Sequence, residues 1–458
     1  METFIQINKI EGYLNAHKNP SEAEVLAALE TATKGKGLSY DEIAILLNTE
    51  DDKLLQEIYK IAGQVKDKIY GNRVVLFAPL YISDYCKNNC TYCGYKRDNA
   101  FPRRKLSREE IQKEVRILEE IGHKRLALEV GEDEANCPID YVLDAIDWIY
   151  EAGDIRRINV NIAATTVENY KRLHDKNIGT YILFQETYHR PTFEKLHPQS
   201  LKGNYERQLY AHHRAMEGGI DDVGGGVLYG LYADWKFEVM AQIMHNEDLE
   251  KTRGVGFHTV SIPRLKKATG MELSQFDNGI TDQEFKRIVT ILRLALPFTG
   301  MILSTRETEE MRTDLIHHGI SQVSAGSQTG VGSYSDSKEN PQVTTQFEVS
   351  DERSPIEVIK SLLRMNFLPS YCTACYRMGR TGDAFMEIVK AGKIGEMCHP
   401  NALMTINEYC LQYGDDELKQ LVYQFTENEL AKIKSDSLKE KVTANISAIK
   451  KGVKDLYV

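Results

Sequence analysis

The chain alternates two kinds of hydrophobic pattern along most of its length. Short, continuously apolar runs are typical of parallel strands buried on both faces, whereas apolar residues that recur three and four positions apart predict amphipathic helices. Eight short runs begin at Arg73, Arg125, Arg157, Thr180, Asp221, His258, Gly300 and Ser321, and most are followed by a helical stretch. Eight strand–helix units predict an α/β fold, a closed (β/α)8 TIM barrel, with a doubly wound open sheet as the alternative.

Helical patterns also precede and follow the predicted barrel. In the N-terminal part, Asp41 and Asp51 are placed to begin helices, and within the barrel Ser107 and Glu110 form a capping-box signature. Toward the end of the chain the composition changes, and Lys- and Glu-rich amphipathic helices follow. We therefore predict an N-terminal helical segment over residues 1–70, a barrel over residues 71–367 and a C-terminal, mainly helical domain over residues 368–458.

Composition and charge narrow the class of protein. The 458 residues are 42% hydrophobic and 27% charged, which is typical of a globular protein, and the net charge of −10 argues against a nucleic-acid partner. No apolar run approaches the roughly 20 residues of a membrane span, and the N-terminus lacks the pattern of a signal peptide. We expect a cytoplasmic protein without a membrane partner. Thiols stay reduced in that compartment, so the cysteines are interpreted as metal ligands or buried residues.

Six of the eight cysteines form two triplets, Cys86-x3-Cys90-x2-Cys93 and Cys372-x2-Cys375-x22-Cys398. Iron–sulfur clusters are normally held by four thiolates, so a triplet leaves one iron without a protein ligand and open to another molecule. The first triplet lies directly after the first predicted strand, in a loop that contains glycine and aromatic residues. Its spacing predicts a cluster with an open iron.

Structural zinc is the competing interpretation of both triplets. A zinc site would normally need a fourth ligand nearby, and no histidine lies between Tyr70 and Phe101 to complete the first triplet. Beside the second triplet, His399 follows Cys398 directly and could complete a Cys3His zinc site. Spacing alone leaves the second triplet open between cluster and zinc.

Several polar residues fall at the ends of the predicted strands. Active sites of this barrel type lie on the loops that follow the C-terminal ends of the strands. The residues placed there, besides the first triplet, are Glu132, Asn161, Glu186, Ser304, Arg306 and Ser324. Each alone could be a helix cap or a surface residue. Their convergence on one rim predicts an active site.

The first triplet resembles that of the radical S-adenosylmethionine (radical SAM) enzymes, in which an aromatic residue, here Tyr92, precedes the last cysteine. Longer stretches, such as SQVSAGSQTGVGSY and PSYCTACYRMGRTGD, resemble the tyrosine lyases of [FeFe]-hydrogenase maturation. The related 2-iminoacetate synthases of thiamine synthesis share the barrel and the first triplet but lack the C-terminal cluster domain. The second triplet therefore favours the maturation family over its thiamine-synthesis relative.

The resemblance implies two [4Fe-4S] clusters and S-adenosylmethionine as cofactors. The first triplet would hold the cluster that binds S-adenosylmethionine, and Tyr92, Glu132, Asn161 and Glu186 are the candidate cofactor-binding residues. The resulting radical would cleave the Cα–Cβ bond of L-tyrosine to give p-cresol and dehydroglycine. Arg306, with Ser304 and Ser324 nearby, is the candidate for the tyrosine carboxylate, because a guanidinium fork matches a carboxylate bidentately.

At the second cluster the resemblance implies conversion of dehydroglycine to carbon monoxide and cyanide on an additional labile iron. His258 matches the family histidine that holds this iron, although from its pattern alone His258 reads as a buried or capping residue. The implied partners are a low-potential electron donor and the other hydrogenase maturation proteins with their scaffold.

Two interpretations from other classes remain. An electron carrier would use both clusters only as relays, and a zinc-stabilised binding barrel would have no redox chemistry. Two incomplete triplets argue against the relay, and metal analysis would separate cluster from zinc.

Overall fold

The computed structural model describes residues 3–271, 276, 278–336 and 344–458. Its strands are β1 (Arg73–Ser83), β2 (Arg125–Val130), β3 (Arg157–Asn161), β4 (Tyr181–Ile182), β5 (Val223–Gly226), β6 (Thr259–Ser261), β7 (Gly300–Leu303), β8 (Gln322–Ser324) and β9 (Leu368–Ser370). The first eight all fall within or on the predicted apolar runs. The eight predicted strands are therefore confirmed, although β4 has only two residues in regular pairing.

The eight strands form a closed parallel barrel. Each strand from β2 to β8 pairs with the next, and β1 pairs with both β2 and β8, which closes the ring. The strands are almost entirely buried, because helices cover the outside of the sheet. The closed barrel is confirmed, and the open sheet is excluded.

A ninth strand, β9, was not predicted. It pairs in parallel with the start of β1, where Val75 lies opposite Ser370. Val75 also pairs with Gln322 of β8, so β9 must use the other edge of β1, the one that β2 joins farther along. Strand β9 therefore lies end to end with β2 and leads the chain from the barrel to the second triplet.

Helices lie before, around and after the barrel. Those before it are α1 (Ile7–Ala16), α2 (Glu22–Thr33), α3 (Tyr40–Leu47) and α4 (Asp52–Tyr70). Those between β1 and β9 are α5 (Arg108–Glu120), α6 (Ile139–Ala152), α7 (Val167–Asp175), α8 (Arg190–Leu196), α9 (Tyr205–Leu209), α10 (Ala211–Glu217), α11 (Trp235–Arg253), α12 (Asp282–Ala295), α13 (Glu309–His318), α14 (Ser333–Asp336) and α15 (Pro355–Arg364). Those after β9 are α16 (Ala374–Arg377), α17 (Gly382–Lys390), α18 (Ile394–Tyr413), α19 (Asp416–Lys432) and α20 (Asp436–Ile449). In the described parts of the chain, none of these helices has the length and apolar character needed to span a bilayer.

The helix starts follow local chemistry. Ser107 and Glu110 form the predicted capping box of α5, and the Asp51 carboxylate caps α4 as predicted. The prediction for Asp41 is wrong, because Ser39 caps α3: its hydroxyl accepts from the Glu42 backbone N–H, and the Glu42 side chain accepts from the Ser39 N–H. A Ser-x-x-Glu pair satisfies two free backbone N–H groups at once, which leaves Asp41 in the first turn.

Candidate functional site

A cavity of about 260 Å³ opens at the C-terminal ends of the barrel strands; we call it the upper cavity. Ten residues predicted from the sequence line it: Cys86, Cys90, Tyr92, Cys93, Glu132, Asn161, Glu186, Ser304, Arg306 and Ser324. They come from the ends of β1, β2, β3, β7 and β8 and from the loop after β4. The structure thus brings together residues that are spread over more than half of the chain.

The loop after β1 carries the first triplet and is held against the loop after β2. The backbone N–H of Lys87 donates to the carbonyl of Glu132 at 2.8 Å, and the N–H of Cys93 donates to the carbonyl of Cys90 at 3.1 Å. The two loops touch at Gly131, where a Cβ atom would lie 2.4 Å from the backbone oxygen of Tyr85. Only glycine allows this approach, so Gly131 helps to fix the position of the cysteines.

The three thiols of the first triplet lie in a poorly solvated environment with one fixed positive charge. Burial raises the pKa of Cys90 well above its ordinary value and raises that of Cys93 to about 11. The Lys202 ammonium, which pairs with Glu186 at 2.6 Å, acts in the opposite direction on the pKa of both thiols. Lys202 was not predicted. It lies in a three-residue 3-10 helix (Leu201–Gly203), and no sequence pattern there indicates a functional lysine.

This environment fits an iron–sulfur cluster. Cluster binding converts thiols to thiolates, and a buried ammonium beside them offsets part of the negative charge that the cluster and its ligands bring into the cavity. Among the residues that the structure describes, no three His, Cys, Asp or Glu side chains are grouped closely enough to hold a single metal ion. The assignment of both triplets rests on their placement in cavities.

All four predicted cofactor-binding residues have protein partners, and those of Glu132 and Tyr92 fix their side chains. The Glu132 carboxylate accepts from Arg207 Nη2 at 2.8 Å and from the Asn88 amide. The Tyr92 hydroxyl lies 2.8 Å from Nε2 of His197, and Nδ1 of the same ring donates to the carbonyl of Phe193. Nε2 therefore accepts the hydrogen bond from the Tyr92 hydroxyl. Burial lowers the pKa of His197 to about 3 and keeps this histidine neutral. Both side chains are therefore held in place at the wall of the upper cavity.

Arg306 lies on the opposite wall with its guanidinium free of hydrogen bonds to the described residues. The guanidinium stacks on the Phe347 ring at 3.4 Å from its centroid. The backbone N–H of Arg306 donates to Ser304 Oγ at 3.4 Å, and Ser324 Oγ accepts from the Thr305 N–H at 3.2 Å. The arginine is thus oriented by its neighbours, and its guanidinium can donate hydrogen bonds to a carboxylate.

A third carboxyl group beside Glu132 and Glu186, that of Glu129, lines the upper cavity and was not predicted. It occupies the end of β2 opposite Tyr81 and Asn161, and Asn161 Nδ2 donates to it at 2.6 Å. Burial raises the pKa of Glu129 to about 8, although Arg306 acts to lower it. A signal was present in the sequence, since a glutamate inside the apolar run RLALEV is unusual for a strand buried on both faces.

A smaller cavity of about 50 Å³ lies at the opposite end of the barrel; we call it the lower cavity. The other four predicted metal-site residues line it: His258, Cys372, Cys375 and Cys398. Its wall also includes the first residues of β1, β2, β7 and β8, so it lies at the N-terminal ends of the strands. The two triplets therefore occupy opposite ends of one barrel.

The thiols of the second triplet are close enough to interact. The interaction with the neighbouring Cys375 thiol lowers the pKa of Cys398, and the Arg73 guanidinium lowers it further. His258 lies 3.3 Å from Asp222 Oδ1 but is not aligned to hydrogen-bond to it. Burial lowers the pKa of His258, so the ring is neutral and can act as a metal ligand.

His399, the residue that could complete a zinc site, points elsewhere. Its Nε2 lies 2.9 Å from Glu429 Oε2 on α19. This ion pair joins α18 to α19 and does not involve the second triplet.

Comparisons with known proteins agree with this geometry. A model of the Radical SAM superfamily matches residues 80–243, and a model of the Biotin and Thiamin Synthesis associated domain matches residues 261–368. The 2-iminoacetate synthase of Salmonella typhimurium is 29% identical over 344 residues, which cover 75% of this chain and 89% of that enzyme. HydG from Carboxydothermus hydrogenoformans, an FeFe-hydrogenase maturase, is 37% identical, with a TM-score of 0.84 and coverage of 97% of this chain and 98% of that one.

Another solved structure, described as HydG, a maturase of the [FeFe]-hydrogenase, is 51% identical, with a TM-score of 0.96. That similarity covers 99% of this chain and all of the other, so it includes both cysteine triplets and both cavities. From one end to the other, then, this chain belongs to the HydG family of radical SAM hydrogenase maturases.

Proposed function

We propose that this chain cleaves the Cα–Cβ bond of L-tyrosine to p-cresol and dehydroglycine, and converts dehydroglycine to carbon monoxide and cyanide bound to iron for the [FeFe]-hydrogenase cluster. The observation that carries this proposal is the presence of two incomplete cysteine triplets, each in its own cavity, at opposite ends of one barrel. A relay of electrons needs no substrate cavity beside a cluster. Two sequential reactions on one substrate need two such cavities.

The cavities follow each other along the barrel axis. On β1, Val75 lines the lower cavity and Phe77 lines the upper one; on β8, Gln322 and Ser324 are divided in the same way. Adjacent layers of inward-facing side chains therefore line the two spaces. This arrangement supports transfer of a small fragment from the upper to the lower cavity inside the protein.

As a radical SAM protein the chain binds a [4Fe-4S] cluster and S-adenosylmethionine. When bound in the upper cavity, they supply a 5′-deoxyadenosyl radical, at the expense of one electron from a low-potential donor. We assign Cys86, Cys90 and Cys93 to the cluster. Tyr92, Glu132, Asn161 and Glu186 are assigned to the wall that positions the cofactor.

In the same cavity Arg306 would hold the tyrosine carboxylate, with the Ser304 and Ser324 hydroxyls beside it. The guanidinium has no competing partner among the described residues, and Phe347 fixes the plane of its fork. A bidentate pair would set both the position and the rotation of the amino acid relative to the radical source. The enclosing barrel keeps water away from reactive intermediates.

In the lower cavity Cys372, Cys375 and Cys398 would hold a second [4Fe-4S] cluster, and His258 would bind the labile iron that receives the products. The dehydroglycine anion, HN=CH–COO⁻, contains the atoms and the charge of one cyanide ion, one carbon monoxide and one water. The conversion therefore needs no added oxidant or reductant. We further propose that residues 368–458 form the domain that carries this cluster, and that maturation proteins and their scaffold receive the iron product.

Cysteine substitutions at the two ends of the barrel test this division. Cys93→Ala should abolish both p-cresol and carbon monoxide, whereas Cys375→Ser should abolish carbon monoxide and leave p-cresol near its normal rate. Cys410→Ala is the matched control, because Cys410 is buried in the same helix as Cys398 but belongs to neither triplet. Anaerobic turnover with tyrosine, S-adenosylmethionine and a reductant provides both readouts.

The outcomes separate the alternatives. p-Cresol without carbon monoxide from the unmodified, iron-loaded protein would indicate a 2-iminoacetate synthase. Absence of both products, with intact clusters, would indicate an electron carrier. Zinc without sulfide in anaerobic metal analysis would refute the cluster assignment altogether.

A further inference from the structure

Three neighbouring strands begin with a buried arginine at the lower end of the barrel. Arg73 starts β1, Arg125 starts β2 and Arg157 starts β3, and they are only 9%, 6% and 5% exposed. Arg125 and Arg157 lie directly opposite each other in the parallel pairing of β2 with β3. Like charges in such cross-strand positions destabilise a sheet, and burial increases the cost. Stability of the barrel alone does not explain this arrangement.

These guanidinium groups also lack the partners that other buried arginines have. Arg264 pairs with Glu307 at 2.6 Å, and Arg312 pairs with Asp351. By contrast, within the described residues no carboxylate lies in ion-pair contact with Arg73, Arg125 or Arg157. Their Nε atoms are buried without a hydrogen-bond acceptor, as is that of Arg312. Arg125 Nη2 donates to the Cys372 carbonyl at 3.0 Å, and Arg157 Nη1 donates to the carbonyl and side-chain oxygens of Asn177 at 3.2 Å. These acceptors are neutral, so the three guanidiniums keep their positive charge without a carboxylate partner among the described residues.

Two of these arginines line the lower cavity, and the third stacks on a residue that lines it. Arg73 and Arg125 line it directly, together with Tyr376 of the second-triplet loop. The guanidinium of Arg157 stacks on the Tyr376 ring at 3.9 Å, and that of Arg125 lies 5.4 Å from the same ring centroid. The acidic group nearby is Asp222, one of whose oxygens accepts from the Gly382 N–H. The balance of charge at this end of the barrel is positive.

We propose that Arg125 and Arg157, assisted by Arg73, form a carboxylate-binding site that captures the small 2-imino acid leaving the upper cavity and holds it beside the second triplet. This inference rests on the proposed function. A guanidinium offers two parallel N–H groups that match a carboxylate, and two guanidiniums on adjacent strands can bind it from both sides. The carboxylate would supply the negative charge that the described protein lacks there.

The site would also protect a labile intermediate. Free dehydroglycine hydrolyses to glyoxylate and ammonia, HN=CH–COO⁻ + H₂O → O=CH–COO⁻ + NH₃. An intermediate that is retained reaches the second triplet, whereas one that escapes is lost as glyoxylate. Glyoxylate release is therefore a direct measure of retention.

The competing role for these arginines is to offset the charge of the second cluster. Arg73, Arg380 and Arg125 act on the Cys398 thiol and suit that role. Arg157 is different, because its guanidinium stacks on the Tyr376 ring and donates to Asn177, whereas Arg125 donates to the carbonyl of Cys372. Arg157 is therefore the position that separates the two roles.

The experiment uses holoenzyme loaded with iron and sulfide and compares Arg157→Gln, Arg157→Lys and Arg125→Lys with the unmodified protein. Arg172→Gln is the matched control, since Arg172 carries the same charge on the outer helix α7 and pairs with Asp140. p-Cresol, carbon monoxide and glyoxylate are measured in the same anaerobic reaction. Oxamate, an unreactive carboxylate of similar size, is titrated calorimetrically with tyrosine and S-adenosylmethionine present and reductant absent, so that the upper cavity is occupied.

We expect Arg157→Gln to form p-cresol within twofold of the unmodified protein, to lose at least tenfold in carbon monoxide and to release glyoxylate in nearly the amount of p-cresol. Oxamate affinity should fall at least tenfold in the Lys variants, which keep the positive charge but lose the two parallel N–H donors of the guanidinium. Unchanged carbon monoxide, unchanged oxamate affinity, or loss of the second cluster's iron in all three variants would overturn the proposal. Absence of p-cresol from the unmodified protein would instead refute the proposed function on which it rests.

Discussion

Replacement of Arg306 by glutamine tests the assignment of the tyrosine carboxylate. The guanidinium stacks on Phe347 and makes no hydrogen bond to the described residues, so its full capacity is available to substrate. The substitution keeps a polar but shorter side chain and removes the charge and the paired N–H donors of the guanidinium. We expect tyrosine cleavage to fall steeply while the loop that carries the first triplet keeps its cluster.

The magnitude follows from the hydrogen bonds that are lost. A bidentate guanidinium–carboxylate pair provides two charge-assisted hydrogen bonds, each worth about 1.5–3 kcal/mol. Since Ser304 and Ser324 would still contact the carboxylate, we take the lower end for both, about 3 kcal/mol in total. This corresponds to about a hundredfold loss in kcat/KM for tyrosine.

The assay compares tyrosine with tyramine, which lacks the carboxylate. In the unmodified protein tyrosine should be preferred by about two orders of magnitude, since tyramine forgoes the same pair of bonds. In Arg306→Gln the preference should nearly disappear, because substrate and protein each lack one half of the interaction. 5′-Deoxyadenosine formation monitors the cofactor independently. If the variant discriminates between the two amines as strongly as the unmodified protein, another group binds the carboxylate and the reasoning is refuted.

Three further predictions concern the cavities and the barrel wall. Gly131→Ala should lower the iron content of the first site severalfold, because the new Cβ would overlap the Tyr85 oxygen and displace the cysteine loop; a normal iron content would show that the loops can separate. Glu129 has a pKa raised from 4.5 to about 8, so its contribution to stability is complete below pH 4.5 and is lost as pH rises through 8. Glu129→Gln should therefore make the metal-free protein relatively more stable at pH 8 than at pH 5 in denaturant titrations, and an advantage that does not change with pH would contradict this. His212 has a pKa lowered by burial from 6.5 to about 3, so its contribution is present above pH 6.5 and is lost as pH falls toward 3; His212→Gln should reduce the slope of unfolding free energy against pH in that window by about 1.4 kcal/mol per pH unit, and equal slopes would refute it.

The barrel could be predicted because each strand carries its own signal. A run such as RLALEV is apolar without alternation, which only a strand covered on both faces requires. Strand β9 could not be predicted in this way, because its three residues include Pro369 and have no periodicity to detect. Its pairing depends on the free edge of β1 below β2, which is a property of the assembled barrel.

Some residues of the candidate sites could be predicted from the sequence, and others depend on contacts that form only in the folded chain. Cysteine spacing and the positions of strand ends predicted residues that the structure places around two cavities, although their chemical roles stay predictions. Lys202 could not be found, because its pairing with Glu186 depends on how two loops meet in space. The arginines of the lower cavity did leave a signal, since Arg73, Arg125 and Arg157 each open a predicted strand. Arg125 and Arg157 also share one register position on neighbouring buried strands, a placement of like charges that sheet stability does not favour.

Because β9 pairs with β1, the positions of both cysteine triplets are set relative to a single strand. The second triplet begins just beyond Ser370, level with Val75, and the first begins just beyond Ser83 on the same strand. Eight residues of extended chain between those levels span about 26 Å. A strand that is hydrogen-bonded on both edges keeps its length. Motion of the outer helices therefore leaves the distance between the two cysteine triplets unchanged. Evolution or design could alter that interval only by resizing the barrel itself.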